Sequence, residues 1–353
     1  MAEAVAPEVR ELDDKAASAL LPERPARGHK GTFGKLLVVA GSLDYAGAAW
    51  LVCKAAGRAG AGLVTLAVPE SLQPLFATKI EEATTMALEE DDVEEVDPEP
   101  ALARILDHEH DALVIGPGLR PSLAIGELVR GILGPAAGED ACPALVDAEA
   151  LRTLAAEDGW WEGIRRPAVL TPHSGEFARL RAASGIAPGS DGDLNEDDAA
   201  RVAAATDAAA TWGTVVVLKG AKTVIAAPDG GVARAPFENP ALASGGTGDV
   251  LAGTIGALLA QGLAPFEAAQ LGVYLHGMAG EAVRGRVGDA GLLAGDLPLE
   301  VALARRRLAV IAERRAKGSS LGFGSLGAAT TTPGPGGGPD PFDPGGEAAR
   351  TRG

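Results

Sequence analysis

The residues best suited to chemistry lie in one run, GGTGDVLAG, at Gly245–Gly253. Gly245 and Gly246 open backbone angles closed to other residues and let the main chain approach a ligand. Thr247, Gly248 and Asp249 then begin a long apolar stretch read as a helix. The unpaired N–H groups and positive dipole end of its first turn make an anion site. An aspartate in a first turn can simply stabilise the helix start. Here the turn Gly245, Gly246, Thr247, Gly248 precedes it, and the combination reads as a phosphate cradle with Asp249 at the reacting centre. No Gly-Lys-Ser/Thr follows, so the run is not a P-loop.

Other candidates sit where apolar runs end. LKGAKT (Leu218–Thr223) puts Lys219 and Lys222 after such a run, with Gly220 for a tight turn. This is either a nucleotide-phosphate contact or a hairpin with solvated lysines. TPHSGE (Thr171–Glu176) places His173 at another run's end, either facing the same crevice or structural. GPGL (Gly116–Leu119) suits close backbone approach to a flat ligand. GSLDYAGAA (Gly41–Ala49) falls short of the dinucleotide fingerprint; Tyr45, Gly47 and Ala48 are pocket-lining candidates and Asp44 a loop acid. In HKGTFGK (His29–Lys35), Lys30 and Lys35 add positive charge, and Phe33 either anchors the loop or stacks on a ligand ring. Asp147, closing ALVDA, is a candidate supporting group. Trp160 and Trp161 read as packing residues, and Arg305–Arg307, Arg314 and Arg315 as the solvated face of a C-terminal helix. Cys53 and Cys142 lack disulfide or zinc spacing and read as buried small hydrophobes.

These sites need a scaffold that presents strand ends. Leu36–Ala40, Leu63–Val68, Ala112–Gly116, Ala144–Ala148, Ala168–Pro172 and Thr214–Gly220 are short apolar runs, each stopped by Gly, Pro or a polar residue. Thr223–Ala227 pairs with the last through a short turn. The first two flank a helical pattern through Arg58, which makes a βαβ unit. Parallel strands with ligand loops at their carboxyl ends, in an α/β fold, follow. The chain is 46% hydrophobic but only 4% aromatic, so Ala, Val, Leu and Ile build the core. In residues 1–28, Asp13 or Asp14 caps a short helix ending near Leu21. Glu89–Pro100 reads as an acidic solvated loop, and Ser184–Ala200 as a loop leading to a helix capped near Asn195. Residues 317–353 turn to Gly and Pro and are expected to be disordered. A net charge of −17 argues against nucleic-acid or acidic-membrane partners. No run is apolar enough to span a bilayer and no secretory signal opens the chain, which makes the cytoplasm the expected compartment.

Several segments together carry a family resemblance: HKGTFGKLLVVAGS (His29–Ser42), RAGAGLVTLA (Arg58–Ala67), VIGPGL (Val114–Leu119), LTPH followed by GE (Leu170–Glu176), VVVLKGAKTVIA (Val215–Ala226) and NPALASGGTGDVLAGTIGALLAQG (Asn239–Gly262). Running in order from about His29 to Leu297, they resemble the ADP-dependent NAD(P)H-hydrate dehydratases of the ribokinase-like superfamily. The resemblance implies a three-layer αβα domain over residues 29–316 with a central, mostly parallel sheet. It also implies a lyase that returns the S epimer of hydrated NADH or NADPH to the reduced cofactor, consuming ADP and releasing AMP and phosphate, with Mg2+ and a homotetrameric assembly. Asp249 then matches the acid that positions or deprotonates the substrate hydroxyl. Lys219, Gly220, Ala221, Lys222, Thr223 and Gly248 match the ADP/AMP site, and Ala48, Gly118 and His173, with Asp249, the substrate site. No residue is assigned to a metal. About 30 residues precede the first motif, so the companion epimerase is expected on a separate protein. Ser174 and Arg120 depart from the family's usual Pro and Gly; Arg120 either clashes or contacts a substrate phosphate. A small-molecule kinase of the same superfamily, acting on a heterocyclic hydroxymethyl alcohol, shares the Gly-rich turn and the aspartate but does not require HKGTFGK or NPALAS.

Overall fold

Short runs of Val, Leu and Ala alternate their side chains between two faces, as a strand must. Leu36 and Val38 enter one core, Leu37 and Val39 the other. Runs apolar on both faces are stable only if helices cover both. The structure, a computed structural model, describes residues 8–186, 194 and 197–320, the side chains of 318–320 excepted.

In chain order the elements are β1 (Val9–Glu11), α1 (Asp14–Ala19), β2 (Lys35–Val39), α2 (Ala46–Ala59), β3 (Leu63–Pro69), α3 (Gln73–Ala77), β4 (Thr84–Leu88), β5 (Glu90–Asp92), β6 (Glu95–Val96), α4 (Pro98–Asp107), β7 (Ala112–Ile115) and α5 (Leu123–Leu133). There follow β8 (Ala144–Val146), α6 (Glu149–Leu154), β9 (Ala168–Leu170), α7 (Ser174–Ala183), α8 (Asp198–Trp212), β10 (Val215–Leu218), β11 (Val224–Ala226), β12 (Val232–Arg234), α9 (Thr247–Ala260), α10 (Pro265–Val287) and α11 (Leu297–Ser320). Ten strands form one sheet in the order β1-β12-β11-β10-β9-β8-β7-β2-β3-β4. Its pairings are parallel except those of β11 with β10 and β12. One face is covered by α2, α9, α10 and α11 through residues such as Val52, Ile255, Leu271 and Val301. The other is covered by α4 to α8 through Ile105, Leu128, Leu151, Phe177 and Ala205. The three-layer αβα expectation holds.

Several sequence expectations need correction. The 1–28 segment contributes a strand as well as its short helix: β1 pairs with β12, Leu12 and Ala17 are buried, and Asp13 caps α1 by accepting from the Ala16 N–H. Glu89–Pro100 is not a loop but a hairpin (β5–β6) running into α4. Its acids have local work: Glu90 accepts from the Ser71 N–H and hydroxyl, and Asp97 caps α4. Asn195 lies outside the described residues; the cap of α8 is Asp197. Arg305 is half-buried rather than solvated and donates to the Ala59 carbonyl, while Arg306 and Arg307 are exposed. Cys142 is only half-buried and lies 3.9 Å from the Arg166 guanidinium, whereas Cys53 is fully packed. Of the 317–353 segment, residues through 320 are helical and the rest lie outside the described residues.

Two features of this frame place the site. The chain leaves β2 towards β3 on one side and later returns to β7 on the other, and the carboxyl edge at such a reversal is where α/β sheets receive ligands. Against β2 and β7 lies α9, packed so tightly that glycines are required. A Cβ on Gly253 would fall 2.2 Å from the Val52 carbonyl oxygen of α2, and one on Gly256 2.3 Å from Val114 Cγ2 of β7. Gly253→Ala is therefore expected to destabilise the fold by about 2–4 kcal/mol, because backbone rather than a flexible side chain must move. Chemical denaturation reads this directly; an unchanged midpoint would mean that α2 and α9 part at no cost.

Candidate active site

The amino end of α9 reaches the carboxyl edge of the sheet. Gly246, its N-cap, has φ +88°, and a Cβ there would meet Leu51 Cδ1 at 2.7 Å. Gly245 has neither constraint and faces open space. The backbone permission attributed to both glycines is thus needed at Gly246. Thr247 is pinned by its hydroxyl, which donates to the carbonyls of Leu242 and Ser244 at 2.8 and 2.9 Å. Its own carbonyl oxygen lies 2.9 Å from Nε2 of His276 on α10. A carbonyl only accepts, so Nε2 carries the proton, and burial pushes the His276 pKa down to about 4. This neutral imidazole braces the turn without adding charge.

Three strand or helix ends converge on that turn. Asp147 follows β8, Lys219 follows β10 and Glu176 lies in the first turn of α7. Lys219 Nζ is 2.8 Å from Asp147 Oδ1 and 3.9 Å from Glu176 Oε2. It also stands 3.6 Å from where a Gly248 Cβ would be, so the missing side chain leaves room between ammonium and helix end. Burial opposes the charge on Lys219, yet Asp147, Glu176 and Asp249 together hold the ammonium above the ordinary lysine range. Burial, against the pull of Lys219, pushes the Glu176 carboxyl up. Burial and then the Asp147 charge raise Asp249 from an ordinary 3.8 to about 7, with Lys219 opposing. A half-buried carboxyl poised near neutrality beside a helix N-terminus is suited to proton transfer.

From this corner runs a cleft of about 920 Å³. Lys219, Gly220, Ala221 and Thr223 line one wall, with Thr247 and Gly248 at its end. Phe237, Leu242, Val273 and Gly277 supply apolar lining of the kind that receives a flat heterocycle. Lys222 is not part of the lining. At φ +48° its side chain turns to Asp198 and Glu238, at 3.0 and 2.7 Å. The two lysines, equivalent in sequence, therefore separate. His173 borders the cleft, but its Nδ1 accepts the N–H groups of Gly175 and Glu176, capping α7. Ser174, in place of the family's Pro, sits as the first residue of that helix. Arg201 had no signal in the sequence. Buried on α8, it donates through Nη2 to the carbonyls of Leu218 and Lys219 at 2.8 and 3.3 Å, holding the strand end that carries the lysine.

On the other side of α9's amino end, at the β2–β7 switch, the chain loops pack backbone to backbone. A Cβ on Gly118 would meet Ala48 Cβ and the Tyr45 carbonyl at 2.8 Å each, so Ala48 and Gly118 are immediate neighbours. Leu43 and Tyr45 are exposed at the rim. Arg120 makes ion pairs with Asp44 and Glu94, at 3.5 and 3.4 Å, joining this rim to the β5–β6 hairpin. HKGTFGK lies at the opposite end of the sheet. Gly34 abuts the Ala260 carbonyl at the far end of α9, Lys35 pairs with Glu109, and the Arg24 guanidinium lies 3.9 Å from the centre of the Phe33 ring. Phe33 is an anchor, and Lys30 and Lys35 are remote from the cleft.

The raised Asp249 carboxyl has a consequence for stability. It keeps its proton to about pH 7 when folded but only to the ordinary carboxylate range when unfolded. Folding therefore binds a proton between about pH 4 and 7, and stability is lost as pH rises through that window. Asp249→Asn is expected to match the native chain near pH 4 and to exceed it by about 1–3 kcal/mol above pH 7. Melting curves at the two pH values test this; equal midpoints at pH 8 would contradict it.

The family model for NAD(P)H-hydrate dehydratase matches residues 36–298. A bifunctional NAD(P)H-hydrate repair enzyme Nnr from Moorella thermoacetica is 44% identical over 280 residues, covering 78% of this chain and 50% of that one. The chain thus spans about half the length of the bifunctional relatives it matches. An ADP-dependent (S)-NAD(P)H-hydrate dehydratase from Bacillus subtilis is 38% identical over 265 residues, 74% of this chain and 86% of the relative. A crystal structure of the Bacillus subtilis ADP/ATP-dependent NAD(P)H-hydrate dehydratase with ATP/Mg2+ superposes with TM-score 0.69 at 34% identity, covering 85% of this chain and 99% of that one. The sheet and its flanking helices are ribokinase-like. With its fold, its Gly-rich helix start and more than half of its length matched by one family model, this chain belongs to the NAD(P)H-hydrate dehydratase family.

Proposed function

We propose that the chain is an ADP-dependent dehydratase of the S epimer of hydrated NADH or NADPH. The observation that carries this reading is the convergence of Asp249, the Asp147–Lys219 pair and the amino end of α9 at the end of a nucleotide-sized cleft lined by Lys219, Gly220, Thr247 and Gly248. The Ala48 and Gly118 loops, packed against each other, adjoin that helix end, where Leu51 of α2 lies against Gly246. In this reading ADP lies along Gly220, Ala221 and Thr223, with its base against Phe237 and Leu242. Lys222, whose N–H donates to the Phe237 carbonyl and whose ammonium pairs with Asp198 and Glu238, supports the Gly220–Thr223 turn rather than touching ADP. The β-phosphate meets the N–H groups at Gly246–Gly248 and the Lys219 ammonium, which relieve charge as the phosphoryl group moves. The hydrated nicotinamide lies on the Ala48 and Gly118 side of the helix end, and His173, at the edge of the nucleotide cleft, faces it across the transferred phosphoryl group.

Asp249 takes the proton from the substrate hydroxyl while that oxygen bonds to the β-phosphorus and AMP departs. The C–O bond of the phosphate ester then breaks, phosphate leaves with the electron pair, and loss of a proton from the neighbouring ring carbon restores the double bond. Mg2+ enters this reading as the nucleotide's counter-ion. Among the described residues no group of three or more His, Cys, Asp or Glu is set to hold a metal ion by itself. No residue is therefore assigned to it and no step is routed through it.

Hydrated NADH, ADP and Mg2+ incubated with the pure protein should restore the absorbance of the reduced cofactor and release AMP and phosphate in equal amounts. No recovery with ADP, together with stable ATP-driven phosphorylation of an alcohol, would overturn the assignment in favour of a kinase. Because the base must be deprotonated, kcat/KM should rise with pH through about 7 and level above it. A profile flat from pH 5 to 9 would remove Asp249 from that role. Gly248→Ala separates fold from function. A methyl group there meets only ordinary contacts, at 3.6 Å from Lys219 Nζ and 3.9 Å from Asp147 Oδ2. The helix should gain up to about 1 kcal/mol, while the methyl occupies the phosphate position and weakens ADP binding at least about tenfold. Calorimetric titration with ADP decides.

A further inference from the structure

We infer that Asp147 is a positioning residue for the phosphoryl-transfer step, acting through Lys219; this rests on the dehydratase reading above. Three local costs are spent on aiming this one carboxylate. Asp147 is 2% exposed, and a carboxylate so deep is unfavourable unless paired. Even paired, a buried ion pair often contributes less stability than apolar side chains of similar size. Next, Ala148 adopts φ +52° and ψ −120°, a strained conformation that a residue with a Cβ avoids. Finally, Gly116 holds φ +122° under the Asp147 carbonyl, and a Cβ there would fall 1.8 Å from that oxygen. A glycine and a strained alanine thus bracket the aspartate on adjoining strand ends. Strain that persists beside a reactive group points to a role for the geometry it enforces.

That geometry concerns the end of a flexible side chain. The Lys219 backbone is already fixed: its N–H donates to the Pro172 carbonyl at 2.9 Å, and its carbonyl accepts from Arg201. The four-carbon stem beyond remains free to rotate. Glu176, at 3.9 Å, is outside hydrogen-bonding distance, whereas Asp147 Oδ1, at 2.8 Å, is within it. Asp147 therefore sets where the ammonium stands against the empty side-chain position of Gly248, the place where the helix N-terminus meets a phosphate. A group held there before the nucleotide arrives needs no reorganisation as charge develops, and such preorganisation lowers the barrier more than it tightens binding.

The test compares Asp147→Leu, Asp147→Asn, Lys219→Met and the double variant Asp147→Leu/Lys219→Met with the native chain. ADP binding is measured by calorimetry and turnover with hydrated NADH, ADP and Mg2+. Melting curves set a temperature at which all are folded; the double variant has neither buried charge and stays folded if a single one does not. Asp147→Leu should lower kcat about 100-fold while the ADP dissociation constant stays within about threefold. Asp147→Asn, which keeps an oxygen that accepts from the ammonium, should recover part of the rate. The double variant should be no slower than Lys219→Met alone, since a residue acting through Lys219 has nothing left to position. A kcat within about threefold of native in Asp147→Leu, or losses that multiply in the double variant, would overturn the inference. Absence of turnover in the native chain would instead overturn the dehydratase reading.

Discussion

The fold is organised around a helix that can go nowhere but the interior. From Val250 to Ala260 every residue of α9 is buried, and the one hydroxyl in that stretch, Thr254, is satisfied by the Val250 carbonyl a turn earlier. A helix apolar on all sides must be enclosed. Here β2 and β7 lie beneath it, with α2 and α10 beside it. Gly253 and Gly256 bring its backbone into contact with its neighbours, so the helix has little freedom to shift along its axis. Its amino end is consequently delivered to the carboxyl edge of the sheet, where the strand-end loops converge. The position of the anion site follows from packing several turns away.

That delivery sets two electropositive groups among carboxylates in an acidic protein. The chain carries −17, yet its central corner offers a helix N-terminus and a buried ammonium. Three carboxylates stand around the one lysine, and burial in such company raises both Glu176 and Asp249. The same burial that brings the Asp249 carboxyl near neutrality therefore costs stability there. Lys219 reconciles the two: it is attractive to a phosphate and it keeps the carboxylates from repelling one another outright. Its own placement depends on residues from different strand and helix ends, Asp147, Arg201 and Pro172.

How much of this was legible in the sequence depended on the range of the interaction concerned. The buried strands announced themselves because an apolar run of four or five residues bounded by Gly or Pro has few other uses. The start of α9 was readable because glycines, a threonine and an aspartate before an apolar stretch are a local pattern. The hairpin at Glu90–Val96 escaped notice, since its acidic residues are held by a distant Ser71 and by the burial of Val96. β1 escaped likewise, because three residues without alternation become a strand only when β12 is there to pair with. HKGTFGK carried the most distinctive family signal, yet its residues lie at the end of the sheet remote from the cleft.

The sequence alone determined the α/β class, the order of the sheet-forming runs, the family resemblance and the identity of Asp249 as the acid at a helix start. These are properties of contiguous residues, where chain connectivity supplies the proximity. Tertiary structure alone decided that Lys219 faces the helix end while Lys222, three residues later, pairs with Asp198 and Glu238. It alone decided that Asp147, 72 residues from Lys219, is its partner, and that Phe237, Leu242 and Val273 line one cleft. Those outcomes depend on which way a strand end turns and on what the opposite layer brings near it. Burial and charge coupling are set by neighbours distant in the chain, so the pKa that makes Asp249 a plausible base exists only in the assembled site.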